Sequence, residues 1–267
     1  MAGKSKIRVP WEFKLPQPNR IIAIMRPLLL AGVAALALSA CASNRGQLAS
    51  TDYSASGAQA SLPELTARYR ANPRDRALVI QYAAALRAAG QPQQATAALE
   101  QAITAYPNDL QISIAYAKAL TAAGRFDQSL GVLNNVIRPD APDWNALLVK
   151  GATLDQMGQN EEARRIYAQA AILAPGEASI ETNLGLSYAM TNDLPRAEQH
   201  LRRAVQMRGA NTQTRQNLAL VVGLQGRFAE SRAIYAAELP PEQVESNMAY
   251  VRALLTQQNR WDLIEKG

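Results

Sequence analysis

From residue 76 onward, small, large apolar and turn-forming positions recur every 34 residues. Seven residues before each turn position the side chain is small, and nine residues after it the side chain is large and apolar. The turn positions hold Gly or Asn, which most readily adopt the left-handed conformation that ends a helix: Gly90, Gly124, Gly158, Asn192 and Gly226. This period divides the chain into five blocks, 76–109, 110–143, 144–177, 178–211 and 212–245.

The spacing within a block predicts two antiparallel helices. Helices cross closely where small side chains let their backbones approach and large side chains one turn away fill the grooves. We expect a first (A) helix in each block at 77–89, 111–123, 145–157, 179–191 and 213–225. The second (B) helices are expected at 93–106, 127–138, 161–174, 195–208 and 229–238. The pattern resembles the tetratricopeptide repeat (TPR), and it predicts an all-α TPR solenoid of five repeats.

The residues on either side of the five blocks predict how the solenoid ends. Residues 61–75 form an N-terminal half-repeat, with a lone helix expected from Leu62 to Asn72. Residues 246–267 form a C-terminal capping helix and tail, and the helix itself is expected from about Glu242 to Gln258. Such a helix would cover the apolar face of the last repeat. Asn259 to Asp262 resembles the turn after an A helix, so we expect the helix to have ended there.

The N-terminus has the pattern of a lipoprotein signal peptide. Leu28 to Ala40 carries no charge, and as a helix its 13 residues would be too short for the ~30 Å hydrocarbon layer of a membrane. This is the length of a signal-peptide apolar region. The run ends in Leu38-Ser39-Ala40-Cys41, which resembles the bacterial lipobox. The resemblance implies that residues 1–40 are removed and that Cys41 carries a lipid anchor. The alternative is an ordinary secretory peptide with a chance cysteine.

Residues around this signal bear on the start and the location of the chain. Met25 is an alternative start, which leaves open whether residues 1–24 are translated. Ala42 follows the predicted lipidated residue. In enterobacterial lipoproteins an Asp there marks inner-membrane retention, so Ala is compatible with the outer membrane, facing the periplasm. Residues 41–60 are mostly small and polar after Cys41, and we interpret them as a flexible tether.

Charge and composition narrow the function classes. The formal net charge is +6, but residues 1–40 hold six basic residues and one acidic residue. The remainder is nearly neutral, which removes the indication of nucleic-acid binding. One cysteine excludes an intrachain disulfide and a multi-cysteine metal site. We find no catalytic constellation and no phosphate-binding loop, so we expect no enzyme, metal or cofactor. The one histidine, His200, is predicted to face solvent.

The TPR resemblance implies a concave groove lined by set positions of the A helices. The groove candidates are Ile80, Ile114, Lys118, Leu148, Asn183, Leu186, Asn217 and Leu220. Lys118 is the one cation at the middle positions, whereas chaperone-binding TPR domains hold a C-terminal carboxylate with several Lys, Arg and Asn side chains. Asn183 and Asn217 stand 34 residues apart, and amides can bond both donors and acceptors of an extended peptide. One hypothesis is that blocks four and five hold an extended apolar peptide. The alternative is that these asparagines serve packing.

The C-terminal part of the chain carries a closer resemblance. Residues 215–230, RQNLALVVGLQGRFAE, and residues 239–243, LPPEQ, continuing into 247–252, NMAYVR, look like the TadD family. TadD proteins are TPR lipoproteins of the tight-adherence (Flp) pilus assembly machinery. The resemblance implies a non-catalytic, pilotin-like factor that interacts with other pilus-assembly proteins and assists the secretin. An adaptor for another envelope complex, such as cell-wall hydrolases, is the alternative, and an enzyme with an unrecognised site is a third.

Overall fold

The structure is a computed structural model that describes residues 60–266, with side chains as far as Thr256. The predicted leader, Cys41 and tether residues 41–59 lie outside the described residues. Within residues 60–266, twelve helices follow one another without a strand. They are α1 Leu62–Ala71, α2 Arg76–Ala88, α3 Pro92–Ala105, α4 Leu110–Ala122, α5 Phe126–Val136, α6 Trp144–Gln156, α7 Asn160–Leu173, α8 Ala178–Met190, α9 Leu194–Gln206, α10 Thr212–Leu224, α11 Phe228–Ala236 and α12 Pro241–Lys266.

The helices form the predicted all-α TPR solenoid. The A helices are α2, α4, α6, α8 and α10, and each is followed by its B helix. Each A helix contacts the next A helix and the B helices on either side, whereas successive B helices have no comparable contact. Because the A helices are the more closely spaced layer, the solenoid curves with the A helices on its concave face.

The turn positions and the helix starts differ in how well the period predicts them. The backbone φ angle is positive at all five predicted turn residues, from 59° at Asn192 to 81° at Gly226. The A helices begin one residue earlier than expected because an Asp or Asn side chain caps four of them. Asp143, for example, accepts a hydrogen bond from the amide of Ala146 at 2.9 Å. Glu177, at the same position before α8, makes no such bond.

Small side chains let the two helices of each repeat approach, as the pattern predicted. At Gly151 an added Cβ would come within 2.4 Å of the Tyr167 ring, and at Gly185 within 2.7 Å of Leu201. Tyr167 and Leu201 are fully buried. In the third repeat the bulky Tyr ring therefore requires glycine on the facing helix.

The C-terminal helix corrects one expectation. The prediction that it ends before Asn259 was wrong, because the backbone of α12 stays helical as far as Lys266. Arg260 stands where Gly226 ends the preceding A helix, and a residue with a Cβ disfavours the left-handed conformation of that turn. The first part of α12 packs against α10 and α11, with Met248 and Val251 fully buried.

Candidate protein-binding face

The eight predicted groove residues divide into accessible and buried groups. Ile80, Lys118, Leu148, Asn183 and Leu186 are half-buried. Each lies on an A helix between the core and the solvent. The other three are buried, with exposed fractions of 2% for Ile114, 5% for Asn217 and 7% for Leu220.

The buried candidates belong to the core of the solenoid. Ile114 packs with Leu133 and Ala146, between α4, α5 and α6. Leu220 packs in one cluster with Val244 and Met248 of α12. The last A helix therefore has its apolar groove position covered by the C-terminal helix, which the 34-residue period alone did not indicate.

The two asparagines of the peptide hypothesis bond within their own helices. The Asn183 amide nitrogen donates to the carbonyl of Ser179 at 2.8 Å. The Asn217 side-chain oxygen accepts from Gln213 at 3.1 Å. A peptide backbone would have to exchange these local bonds, so the role of both residues in peptide binding stays a prediction.

The middle of the concave face is both apolar and accessible. Leu148 and Ala152 on α6, and Leu186 and Met190 on α8, are all half-buried. The two helices are adjacent and in contact. These four side chains form an apolar strip across the third and fourth repeats, which we call the inner strip.

A buried carboxylate, which the sequence pattern did not predict, ties the same two repeats together. Asp155 at the end of α6 is 5% exposed. Its side chain accepts hydrogen bonds from Tyr167 at 2.9 Å, from Ser187 at 2.8 Å and from Asn160 at 2.8 Å. Burial raises the pKa of Asp155, although these three bonds and the nearby Arg164 favour its charged form. Burial beside Asp155 also raises the pKa of Tyr167 well above its usual value.

A second carboxylate ties the fourth repeat to the fifth in a different way. Glu198 on α9 pairs with Arg202 at 2.7 Å and with Arg227 at 2.5 Å, and accepts from Gln225 at 2.7 Å. Burial by itself would raise its pKa. Hydrogen bonds from Arg227, Gln225 and Arg202 outweigh that effect and lower the pKa of Glu198 to about 2.

The histidine does not lie where the sequence predicted. The expectation that His200 faces solvent was wrong, since its side chain is 16% exposed. Its ring stacks on Tyr188 with the centroids 5.1 Å apart, and Nδ1 lies 2.9 Å from a Glu181 carboxylate oxygen. A stacked, paired histidine between α8 and α9 has a packing role.

The described residues contain little else that points to a ligand. Among side chains as far as Thr256, no group of three or more His, Cys, Asp or Glu residues is arranged to hold a metal ion. None of the helices in the described part of the chain is both long and apolar enough to cross a membrane. A cleft of about 500 Å³ opens between the turns that follow α6 and α8, with Asn160, Arg164, Thr191 and Arg196 among its lining residues.

Comparison with known proteins identifies the repeats. Two family profiles, both described as tetratricopeptide repeat, match residues 86–152 and 148–212. No curated protein matches the chain significantly.

Solved structures share the fold at low sequence identity. TTC0263, a thermophilic TPR protein of Thermus thermophilus, is 21% identical with a TM-score of 0.58, over 68% of this chain and 98% of that chain. A tetratricopeptide repeat protein from Parabacteroides merdae is 14% identical with a TM-score of 0.53, over 74% and 80% of the two chains. PilF of Pseudomonas aeruginosa is 16% identical with a TM-score of 0.50, over 70% and 89%. At these identities the likeness shows the fold alone.

Proposed function

Because the chain is a tetratricopeptide-repeat solenoid, a fold that typically binds other proteins and is typically not catalytic, we propose that it is a non-catalytic scaffold whose concave face holds a segment of a partner. One observation carries this proposal. The inner strip of Leu148, Ala152, Leu186 and Met190 is apolar, is accessible and crosses two adjacent A helices. Apolar strips of this kind bind partners by removing apolar surface from water.

The partner that we propose is a component of the Flp pilus assembly machinery, most directly its secretin. The support is the resemblance of residues 215–230 and 239–252 to TadD proteins. Part of this segment forms α10 and the start of α12. The TadD-like residues therefore include those that cover the last repeat, and they leave the inner strip open to a partner.

We further propose that Cys41 anchors the solenoid by a lipid to the outer membrane, on its periplasmic side. The support is the lipobox-like sequence before Cys41. A flexible tether of 19 residues has a typical span of ~25 Å, which lets the solenoid stand away from the lipid surface. The concave face would then be free to reach a membrane-embedded partner from the periplasm.

Deletion of the gene tests the pilus role. We expect the deletion strain to lose secretin multimers and surface pili while secretin monomer is still made, because an assembly factor acts after synthesis. Immunoblots of unboiled envelopes and microscopy of pili measure both outcomes. Normal multimers and pili in the deletion strain would contradict the pilus role and favour an adaptor for another envelope complex.

Substitution of the lipobox cysteine tests the anchor. Cys41→Ser should leave an unprocessed precursor without acyl chains, because the thiol is the group that is acylated. Ser39→Ala is the matched control, since Ala is equally small at that position and should leave processing intact. Mass spectrometry of the purified chains and membrane fractionation report the result. A mature Cys41→Ser protein that remains with the outer membrane would show that the anchor lies elsewhere.

A further inference from the structure

The tie between the third and fourth repeats is a carboxylate held by neutral donors. Asp155 lies on α6, Asn160 and Tyr167 lie on α7, and Ser187 lies on α8, so one buried group joins three helices. Neutral hydrogen bonds offset only part of the free energy that it takes to bury a charge. The ionised form of Asp155 is therefore costly to the folded chain.

Arg164 is the cation that faces Asp155, and its guanidinium bonds to Ser187 rather than to the carboxylate itself. From α7 the groups that face it are Tyr167 and Arg164. The Arg164 guanidinium turns toward α8, where it donates to the Ser187 carbonyl at 3.3 Å and lies 4.7 Å from the centre of the Tyr188 ring. From α8 the facing side chain is the Ser187 hydroxyl.

On its other side α6 packs against α4 and α5, which also present hydroxyl groups. Thr121 of α4 and Ser129 of α5 bond to Thr153, two residues before Asp155, at 2.8 Å and 3.2 Å. Among the described residues, the groups that bond directly to Asp155 are therefore neutral, and Arg164 is the cation that lies near them.

Protonation can keep the tie while removing its charge. A serine hydroxyl can donate or accept, so a protonated Asp155 can donate to Ser187 and still accept from Tyr167 and Asn160. Folding therefore shifts the equilibrium of Asp155 toward its protonated form, relative to the unfolded chain. Because the pKa of Asp155 is raised on folding, its contribution to stability is fully present at low pH and is lost as the pH rises through the raised pKa.

We propose that Asp155 is a proton-controlled tie that tightens the junction of the third and fourth repeats when it is protonated and loosens it when it is ionised. The cleft of about 500 Å³ that opens beside this junction is lined in part by Asn160, which bonds to Asp155, and by Arg164. Leu148 and Leu186 of the inner strip lie on the two A helices that the tie joins. Any effect of Asp155 protonation on partner binding at the inner strip rests on the proposed function. The effect of protonation on the junction itself does not.

Hydrogen exchange of the full chain in detergent tests the tie. Protection factors of the α8 amides, corrected for intrinsic exchange, should rise as the pH falls from about 8 through the raised pKa of Asp155 toward the unfolded value of about 3.9. Asp155→Asn, which carries no charge at any pH, should show no such rise. Glu198→Gln is the matched control above about pH 5, because Glu198 has its pKa lowered to about 2. Its loss should lower protection at every pH in that range and keep the wild-type rise toward low pH. Parallel profiles in the wild type and Asp155→Asn would overturn the proposal.

A second pair of variants keeps the test decisive if Asp155→Asn does not fold. Tyr167→Phe and Ser187→Ala each remove a hydrogen bond that is stronger to the ionised carboxylate than to the protonated one, so each should move the wild-type midpoint to higher pH. If Tyr167 and Ser187 serve packing alone, both variants would lower the protection factors at every pH without moving the midpoint. That result would also overturn the proposal. If exchange shows the predicted pH dependence but no partner binds the concave face, the role of Asp155 is supported and the proposed function is contradicted. If a partner binds the concave face but exchange does not depend on pH, the proposed function is supported and the role of Asp155 is contradicted.

Discussion

The third–fourth and fourth–fifth junctions are each crossed by the bonds of a largely buried carboxylate, Asp155 and Glu198, and folding shifts the pKa values of these two groups in opposite directions. Asp155 is enclosed and bonded to neutral donors, so burial dominates and its pKa is raised. Glu198 lies between Arg202 and Arg227, so its pKa is lowered to about 2. The same type of group therefore opposes folding when ionised at one junction and supports folding when ionised at the next.

The repeat fixes where a side chain lies but not which type of residue stands there. Asp155 stands at the twelfth position of its block, where the other blocks have Arg87, Thr121, Ala189 and Gly223. The solenoid accepts apolar, polar and charged residues at this position because the neighbours differ from one junction to the next. Differences in chemistry between repeats therefore lie in these junction residues.

The largest expected effect comes from breaking the packing next to Asp155. Gly151→Ala would push a methyl group into the Tyr167 ring, and we expect it to destabilise the chain by about 3 kcal/mol. Gly131→Ala is the matched control, since nothing lies within 4 Å of its added Cβ and alanine favours a helix. Urea unfolding of both variants gives the difference. Equal stabilities of the two variants would contradict the close approach of Gly151 to the Tyr167 ring. Adding Tyr167→Leu to Gly151→Ala should restore part of the lost stability, because the smaller side chain makes room for the methyl group.

The fourth–fifth junction should lose stability in acid. The stabilisation from Glu198 is present above its unfolded pKa of 4.5 and is lost as the pH falls toward about 2. Arg202 and Arg227 are partly exposed, so solvent screening reduces the effect, and we expect Glu198→Gln to destabilise the chain by about 1 kcal/mol at neutral pH. Denaturation at a series of pH values should show the wild-type advantage shrinking in acid. An advantage that grows in acid would reverse the assignment.

The smallest effect concerns how the A helices of the third and fourth repeats begin. Asp143 caps α6, whereas Glu177 makes no cap bond to α8. Asp143→Ala should destabilise the chain by about 1 kcal/mol, and Glu177→Ala by only a few tenths of that. Thermal unfolding of the two variants compares the starts directly. A greater loss from Glu177→Ala would mean that this residue stabilises α8 by another contact.

The sequence predicted the repeating features and the presence of a helix at each end of the solenoid, but it missed contacts that single side chains make. The turn residues and the small positions could be read from the period, because every block needs the same close approach, as at Gly151 and Gly185. The burial of Leu220 could not, because it depends on α12, which lies outside the repeats. Asp155 was also missed, since its partners on α7 and α8 come together only in the folded chain.

The proposed function depends most on the inner strip being the surface that binds a partner. A photo-reactive amino acid placed at Leu186, on the concave face, tests this in living cells. Ile172 is the matched control, because it is 80% exposed and lies on a B helix, α7. We predict that Leu186 crosslinks to a pilus-assembly protein, foremost the secretin, and that Ile172 does not. Crosslinking of that protein from Ile172 and not from Leu186 would contradict the proposed function.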